Sequence, residues 1–471
     1  MTWQQACIDF AERHAVEPRW VQVLRAFGGW APEAGPDLES FETQAQPQVV
    51  VQALAGEVDA AQAAMFARRL VAVDRLLRQN PRPEARLLRV GLLHRIPEIL
   101  AAPPPRALRV RACVDFYFSQ AAALQHEDPL APRIEELTGG LAWSAIDRGL
   151  DHALLEGVSR WGPLHVNLLR VRGPRRLRCV DLRGRPGRFA EQSLAEGALA
   201  AVSGGFFLYS EPDIAPPSTR GDPVGLLVSE GRVLSPPALR RTALRAQDGR
   251  CWFERIGLEG WTVRGRRIAG VNRPELLGRE LVAFNRAWTE PVSWPHARHL
   301  IGQALVEGSG VPLNGALLCW PEAAEAPGPV ELGLPGEAMA GGPVLLRGGR
   351  LCLDLVAEDF AGSAPPITFS QDETYDQNLL PRMAAGLLPD GGLIFAAVDG
   401  RNLDRAPGLT LGQTARLLRA VGCEEAMNLD GGSSKRMVVR GRVVDLPSTE
   451  VLAGGSGGQQ VRPVRSAILV L

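Results

Sequence analysis

The feature that most restricts the fold is a change of sequence texture near residue 150. Before it, amphipathic segments at 49–80, 84–100 and 108–124 carry apolar residues at three- and four-residue intervals and are separated by prolines. After it, short β-branched or apolar runs alternate with glycine and proline turns. The pattern predicts an α+β chain, with an all-α domain over residues 1–140 followed by a strand-rich domain over residues 150–471.

Composition narrows the classes of function. The chain has 471 residues, of which 45% are hydrophobic and 22% charged, and this is enough for two domains with a sizeable core. Its formal net charge is zero, so no basic surface marks a partner that is a nucleic acid or a membrane. Arginine supplies every cation except Lys435, an excess typical of a GC-rich bacterial genome.

The cysteines and the apolar runs indicate in which cellular compartment the protein is expected. The seven cysteines are scattered and form no C-x-x-C pair, which argues against a disulfide framework and against a zinc site. The first twenty residues lack a basic segment followed by an apolar run, and no apolar stretch approaches the ~20 residues of a membrane span. We therefore expect a cytoplasmic protein without a membrane span.

Residues 322–342 are rich in proline, glycine, alanine and glutamate. Because strand texture resumes on both sides of them, this composition predicts a loop or an insertion inside the second domain.

The segment 408–448 indicates a helix, a strand and a turn in close succession. Thr410 and Gln413 have the spacing of a capping box, and Gly422 is a stop signal, so a helix is expected between them. An apolar strand at 426–429 then ends at Asp430, where glycines leave the backbone open to close approach. Asp-Gly-Gly is most often a plain turn, and this structural interpretation stays open beside a chemical one.

Three other segments also place glycine and polar residues at the end of an apolar run, and a fourth, RPV, comes just before the last apolar run. With NLDGGSS at 428–434 they form an ordered series: SGGFF at 203–207, PRMA at 381–384, VDGR at 398–401, NLDGGSS, and RPV at 462–464. This order resembles the phosphodiester glycosidase family over residues 150–471. The resemblance implies a β-rich domain and the hydrolysis of a sugar-1-phosphodiester.

Three positions depart from the family pattern. Ser203 stands where the family has asparagine, Gln413 where it commonly has glutamate, and Ser433 where it has a third glycine. Serine is shorter than asparagine and would contact a ligand differently. These changes indicate an altered substrate or a site that has lost its activity.

The resemblance also implies site residues. Cleavage at the anomeric carbon needs a carboxylate as base or nucleophile, for which Asp430 is the first candidate and Asp399 the second. The phosphate calls for arginine forks, hydroxyls and backbone amides. The predicted binding residues are Arg382, Arg401, Arg462, Asn428, Gly431, Gly432, Ser433, Ser434, Ser203 and Gly204.

Structural alternatives remain open for several of them. Arg382 could pair with Asp399 or Asp430 only to satisfy buried charge, and Arg401 could be a solvated residue at a strand end. Asp399 could be a turn acceptor. The histidines form no H-E-x-x-H pattern, and no cofactor is expected. A divalent cation held by carboxylates stays open as an alternative, although spacing identifies no ligands for it.

Two classes of function follow. The first is a hydrolase that cleaves the glycosidic bond of a glycan or glycolipid phosphodiester. The second is a non-catalytic protein, binding or regulatory, that keeps the pocket for a phosphorylated glycan. The helical domain could recruit a protein partner of unknown identity, or its apolar faces could form an internal core.

Overall fold

Helices occupy the first part of the chain and strands most of the remainder, which confirms the α+β fold class. The computed structural model describes residues 9–17, 47–104, 106–173, 175–208, 221–263, 266–276, 280–291, 296–302, 304–308, 310–320, 334–360, 375–448 and 463–471. The helices named below are α1 (Pro47–Ala53), α2 (Ala60–Gln79), α3 (Pro83–Ala101), α4 (Arg106–His126), α5 (Ile134–Gly139), α6 (Phe189–Ala195) and α7 (Leu411–Ala420).

Helices α1 to α4, here called the helical unit, pack around a core of their own, whereas Ile134 of α5 packs in the core that contains α7. The segment 49–80, which the sequence predicts to be helical, is divided because Gly56 has a φ of +87° and the Asp59 side chain caps α2 by accepting from the Gln62 amide at 2.8 Å. The buried core of the unit also includes two residues of the strand-rich part, Leu379 and Leu403. The helical unit is therefore packed against the chain that follows it.

The largest sheet lies at the centre of the strand-rich part, and neighbouring strands pair antiparallel. Its eight strands, in spatial order, are β1 (Ser144–Asp147), β2 (Leu150–Ser159), β3 (Gly162–Val171), β20 (Leu393–Val398), β19 (Arg382–Leu387), β21 (Glu425–Asn428), β17 (Val344–Arg347) and β18 (Arg350–Leu351). Strands β3, β20, β19 and β21 are buried almost throughout, because both faces of the sheet are covered.

A five-stranded sheet packs on one of these faces. Its strands are β23 (Arg442–Val443), β22 (Met437–Val439), β5 (Ala200–Ser203), β24 (Ser466–Val470) and β4 (Leu177–Asp181). Phe395 of β20 and Met427 of β21 share a core with this sheet, so we call their side of the large sheet the sheet face. Ala396 and Ala426, next to them in sequence, pack in the core that contains α7, on the helix face.

Two further sheets complete the described part of the chain. One has strands β7 (Arg232–Ser235), β6 (Leu227–Ser229), β16 (Glu337–Ala340), β8 (Arg241–Gln247) and β9 (Arg250–Ile256). The other has strands β10 (Thr262–Val263), β11 (Arg266–Val271), β12 (Leu281–Phe284), β15 (Ala316–Trp320), β13 (His296–Ile301) and β14 (Ala304–Val306), and in it β11 and β12 run parallel.

Strand β16 corrects the loop expected at 322–342. It is buried at the centre of its sheet, between β6 and β8. Composition was misleading because Glu337 is not a solvated loop residue: its carboxylate accepts the amides of Cys179 at 2.7 Å and Glu230 at 2.8 Å. Residues 322–333 lie outside the described residues.

Near the domain boundary that the sequence predicts, the first group of helices ends and the strands begin. Helix α5 ends at Gly139 and β1 begins at Ser144, while Leu379 and Leu403 reach back into the helical core. The division at 140–150 thus remains a prediction. Over the described ranges, none of the helices has the length and apolar character needed to cross a bilayer.

Candidate functional site

The turn after β21 carries the first predicted carboxylate out of a buried strand. The Asp430 amide donates to the Gly204 carbonyl at 3.1 Å, and the Gly432 amide donates to the Pro381 carbonyl at 2.8 Å. A Cβ on Gly431 would lie 2.5 Å from that same carbonyl oxygen, so the close approach requires glycine there. Asp430 is partly exposed at the point where the strand leaves the core.

Buried polar groups on the helix face surround the base of this turn. The Asn428 side-chain nitrogen donates to the Tyr375 hydroxyl at 2.9 Å, and its side-chain oxygen is buried with no hydrogen-bond partner in the described structure. Burial raises the pKa of the Tyr375 hydroxyl, Arg382 opposes this rise, and the nearby Asp430 carboxylate adds to it. The electrostatic link between Tyr375 and Asp430 brings these four residues into one cluster.

Arg382 holds the backbone around this cluster. It is 1% exposed, and it donates to the carbonyls of Leu409 at 3.1 Å, Tyr375 at 2.9 Å and Asn378 at 2.8 Å. Burial lowers the pKa of its guanidinium, which also lies 4.6 Å from the centre of the Tyr375 ring. The expected partners of Arg382 were phosphate or a carboxylate, whereas its hydrogen bonds in this structure go to carbonyls that fix the ends of a loop.

Arg401 lies beside the glycines of the turn. Its guanidinium donates to the Ser433 hydroxyl at 3.4 Å, and a Cβ on Gly432 would lie 3.5 Å from it. Only 2% of Arg401 is exposed, so the alternative of a solvated strand-end residue is wrong. The same guanidinium also contacts a carboxylate, that of Asp115 of α4 in the helical unit, at 3.5 Å.

Asp399 lies on the other face of the large sheet. It follows β20 with the same alternation as Phe395, on the sheet face, whereas Arg382 and Asn428 have the alternation of the helix face. Asp399 is 3% exposed. The second predicted carboxylate is therefore separated by the sheet from the cluster around the first one.

The partners of Asp399 show what it does in the fold. It accepts from the Lys435 ammonium, from His165 Nδ1 at 2.5 Å, and from the Leu446 amide at 3.1 and 3.2 Å to its two oxygens. Lys435 also binds Asp445 at 2.7 Å. Asp399 is thus a buried acceptor that connects β3, the turn after β21 and the segment after β23. This agrees with the alternative in which Asp399 is a turn acceptor.

Two backbone amides of the turn predicted to bind phosphate have acceptors inside the protein. The Ser434 amide donates to the Gly431 carbonyl at 3.1 Å, as the Gly432 amide does to Pro381. Ser203 exchanges bonds with Arg436: its amide donates to the Arg436 carbonyl at 2.9 Å and its hydroxyl accepts the Arg436 amide at 3.1 Å. These amides stabilise the turn against β5, and they do not point to a ligand.

The other predicted positions have different outcomes. A Cβ on Gly204 would lie 2.6 Å from the Met339 side chain, so glycine is needed there for packing. Arg462 lies outside the described residues. In the part of the chain that the structure describes, no three histidine, cysteine, aspartate or glutamate side chains are grouped as a metal site would require.

Several residues of the site were missed from the sequence. They are Tyr375, Asp115, His165, Asp445 and Lys435. The first four lie in sequence contexts that match none of the predicted motifs. The fifth gave a signal, because it is the sole lysine of a chain that otherwise uses arginine, and the structure buries it completely between two carboxylates.

Comparisons with known proteins confirm the resemblance over part of the chain. Residues 329–471 match the sequence model of the phosphodiester glycosidase family, a span that includes Arg382, Asp399, Arg401 and Asp430 but not Ser203. The chain is 40% identical over 65 residues to YomE, an SPbeta prophage-derived uncharacterized protein of Bacillus subtilis (strain 168), and this alignment covers 14% of the chain and 10% of the relative.

Two solved structures are also similar. One is a hypothetical protein from Synechocystis, at 20% identity and a TM-score of 0.47, with 70% of this chain and 63% of that one covered. The other is the catalytic domain of zebrafish N-acetylglucosamine-1-phosphodiester alpha-N-acetylglucosaminidase auto-inhibited by its pro-peptide, at 14% identity and a TM-score of 0.39, with 73% of this chain and 85% of that one covered.

Proposed function

We propose, from the premise that residues 329–471 carry a phosphodiester glycosidase domain, that the protein hydrolyses the glycosidic bond of a sugar-1-phosphodiester. The observation that carries this proposal is the placement of Asp430. Of the two carboxylates predicted from the sequence, it alone is partly exposed, and it stands at the edge of the buried cluster of Asn428, Tyr375 and Arg382.

The proposed reaction uses the carboxylate at the anomeric carbon. As a base, Asp430 accepts a proton from water while the water oxygen bonds to C1, the C1–O bond breaks, and its electron pair leaves on the phosphate oxygen. As a nucleophile, its oxygen bonds to C1 while the C1–O bond breaks and the phosphate leaves with the electron pair, and water then hydrolyses the glycosyl ester to free sugar and carboxylate. The configuration of the released sugar distinguishes these two routes.

The phosphate leaving group needs little protonation because it is already an anion. Hydrogen bonds from a guanidinium and a hydroxyl stabilise such a group best where water is excluded. Arg401 and Ser433 are in mutual contact beside the turn that carries Asp430, and we assign the phosphate to this pair. The buried oxygen of Asn428 is an acceptor for a sugar hydroxyl.

Asp399 has a supporting role in this proposal. Its bonds to Lys435 and Leu446 fix the turn from the sheet face, opposite the reacting groups. It thus positions the chain around Asp430 and takes no part in proton transfer.

The test is turnover of methyl phosphodiesters of N-acetylglucosamine, glucose and mannose 1-phosphate, followed by release of the free sugar. We expect Asp430→Asn to lower kcat by ~10²-fold or more, the usual contribution of a positioned base. Asp404→Asn, an exposed acid near Arg401 in sequence, is the matched control and is expected to leave kcat unchanged. Turnover that is equal in wild type and Asp430→Asn contradicts the assignment of the catalytic carboxylate.

A second candidate is a non-catalytic protein that binds a phosphorylated glycan. It is favoured by the internal bonds of Arg382 and Ser203, two predicted ligand contacts whose polar groups bind backbone atoms of the protein itself. This function predicts that calorimetry detects binding of the same methyl phosphodiesters. It also predicts that the turnover assay detects no released sugar. Under that outcome the enzyme proposal fails and the binding proposal stands.

A further inference from the structure

A carboxylate of the helical unit contacts a residue of the candidate site. Asp115, in the middle of α4, is 4% exposed, and its Oδ2 lies 3.5 Å from the Arg401 guanidinium, although the two residues are 286 positions apart in the sequence. The other side of the same guanidinium contacts Ser433. A single planar group therefore connects a helix of the helical unit to the turn that carries Asp430.

A second contact close by joins the same helix to the loop before β19. The Ser119 hydroxyl, one turn after Asp115, accepts the Leu379 amide at 2.7 Å and donates to the Asp115 carbonyl at 2.6 Å. The side chains of Leu379 and Leu403 are buried in the helical core. The loops that lead to Arg382 and follow Arg401 are thus both packed on α4.

The charges around Asp115 explain why this carboxylate is ionised although it is buried. Burial raises its pKa, but Arg111, Arg401 and Arg69 outweigh this effect and hold the pKa below its usual value. Arg111 binds Asp115 at 2.7 Å within α4, and Arg69 of α2 lies at 3.9 Å. Asp115 is the acid that all three guanidinium groups face.

The Asp115–Arg401 contact helps to hold an unusual backbone conformation at Arg401. Arg401 has a φ of +61°, a left-handed conformation that a residue with a side chain adopts only when its surroundings impose it. Its amide donates to the Pro407 carbonyl at 3.0 Å, and the ion pair with Asp115 holds the other end of the residue.

We propose that Asp115 is a positioning residue for the active site, which orients the Arg401 guanidinium toward Ser433, and that the helical unit is an integral part of this site. The role of Arg401 in binding phosphate rests on the proposed function. The orientation of Arg401 by Asp115 does not, and it is measured separately.

The first experiment needs neither substrate nor turnover. Hydrogen exchange of the full chain is compared for wild type, Asp115→Asn and the control Asp74→Asn, which removes a partly exposed partner of Arg89 elsewhere in the helical unit. We expect Asp115→Asn to accelerate exchange at residues 401–409 by about tenfold or more with α3 unchanged, and Asp74→Asn to leave exchange at 401–409 unchanged. A stable Asp115→Asn protein with wild-type exchange at 401–409 overturns the proposal.

If Asp115→Asn does not fold, Arg401→Gln is measured in its place, because it removes the other partner of the Asp115–Arg401 contact. The expected result is then faster exchange at the middle of α4, around Asp115 and Ser119, and unchanged exchange in that stretch overturns the proposal.

The second experiment connects the contact to ligand binding. Affinity for glucose 1-phosphate and for inorganic phosphate is measured by calorimetry for Asp115→Asn, Arg401→Gln and the double variant. We expect each single variant to bind about tenfold more weakly and the double variant to be no worse than Arg401→Gln, because the two residues act as a unit. Additive losses contradict positioning through Arg401.

The two proposals fail in different ways. If wild type neither binds nor cleaves any of the sugar phosphates while the exchange result holds, the proposed function fails and the positioning of Arg401 by Asp115 stands. If wild type cleaves a phosphodiester, a structural role for Asp115 predicts unchanged kcat/KM in stable Asp115→Asn. A positioning role predicts a loss of about tenfold in kcat/KM.

Discussion

Replacement of Lys435 by methionine tests whether the buried charge network on the sheet face stabilises the fold. The Lys435 ammonium is fully buried and contacts Asp399, Asp445 Oδ2 at 2.7 Å and the Leu446 carbonyl at 3.2 Å. Methionine fills a similar volume but leaves two buried carboxylates without this cation. Removal of one partner from a buried ion pair costs ~3–5 kcal/mol.

The remaining contacts decide where in that range the loss should fall. Asp399 keeps His165 and the Leu446 amide, and Asp445 keeps the Arg436 guanidinium at 3.2 Å and the Met437 amide at 2.6 Å. Because both carboxylates retain donors, we expect the free energy of unfolding to fall by ~3 kcal/mol, the lower end of the range.

The assay is urea unfolding followed by circular dichroism and by tryptophan fluorescence. Arg442→Met, at an exposed position of β23, is the control for loss of a cation without burial, and its effect should stay within ~0.5 kcal/mol. The combination of Lys435→Met with Asp445→Asn should lose less than the sum of the two single variants, because the second change removes one uncompensated charge. A loss below ~1 kcal/mol for Lys435→Met would refute the reasoning.

The remaining predictions concern a helix cap and the change of the free energy of unfolding at acid pH. Thr410→Ala removes the acceptor of the Gln413 amide, which lies 3.1 Å away, and should lower the free energy of unfolding by ~1 kcal/mol, whereas Arg416→Ala on the exposed side of the same helix should change little. The pKa of Asp115 is lowered in the folded state, so its contribution to stability is present above the ordinary aspartate pKa and is lost as pH falls through the folded value. The difference in unfolding free energy between wild type and Asp115→Asn should therefore be constant near neutral pH and shrink below about pH 4; a difference that grows in acid would contradict this sign.

Local structure around the site could be predicted from the sequence because short-range rules determine it. The capping box of Thr410 and Gln413 forms with both of its hydrogen bonds, and Gly422 ends the helix region at a φ of +98°. The hairpin turns at Arg440 and Gly441, both with positive φ. In each case, neighbours in the sequence supply the whole interaction.

The position of Asp399 could not be read from its motif. VDGR places an acid after an apolar strand, but the face to which that acid points depends on the register of β20 against β19. Arg382 lies opposite Val398 in this register, so Asp399 is directed to the sheet face. A motif that resembles a catalytic one is thus used to anchor the fold.

Asp115 shows a different limit of sequence reasoning. With Arg111 it forms an i,i+4 pair, a pattern that usually indicates a solvated helix surface. Both residues are buried, and the Asp115 carboxylate also faces Arg401, which comes from a distant part of the chain. Charge alone could not indicate this partner, because arginines are spread along the whole sequence.

This contact changes how the role of the helical unit can be studied. Deletion of residues 1–140 would expose Leu379 and Leu403 and would remove the acid beside Arg401, which is 2% exposed in the intact chain. A buried guanidinium left without that carboxylate would destabilise the turn that carries Asp430. Loss of activity after such a deletion would therefore follow from damage to the site as readily as from loss of a protein partner. Substitutions on the exposed surface of the helices, such as Arg68→Ala, leave the Asp115–Arg401 contact intact and separate the two explanations.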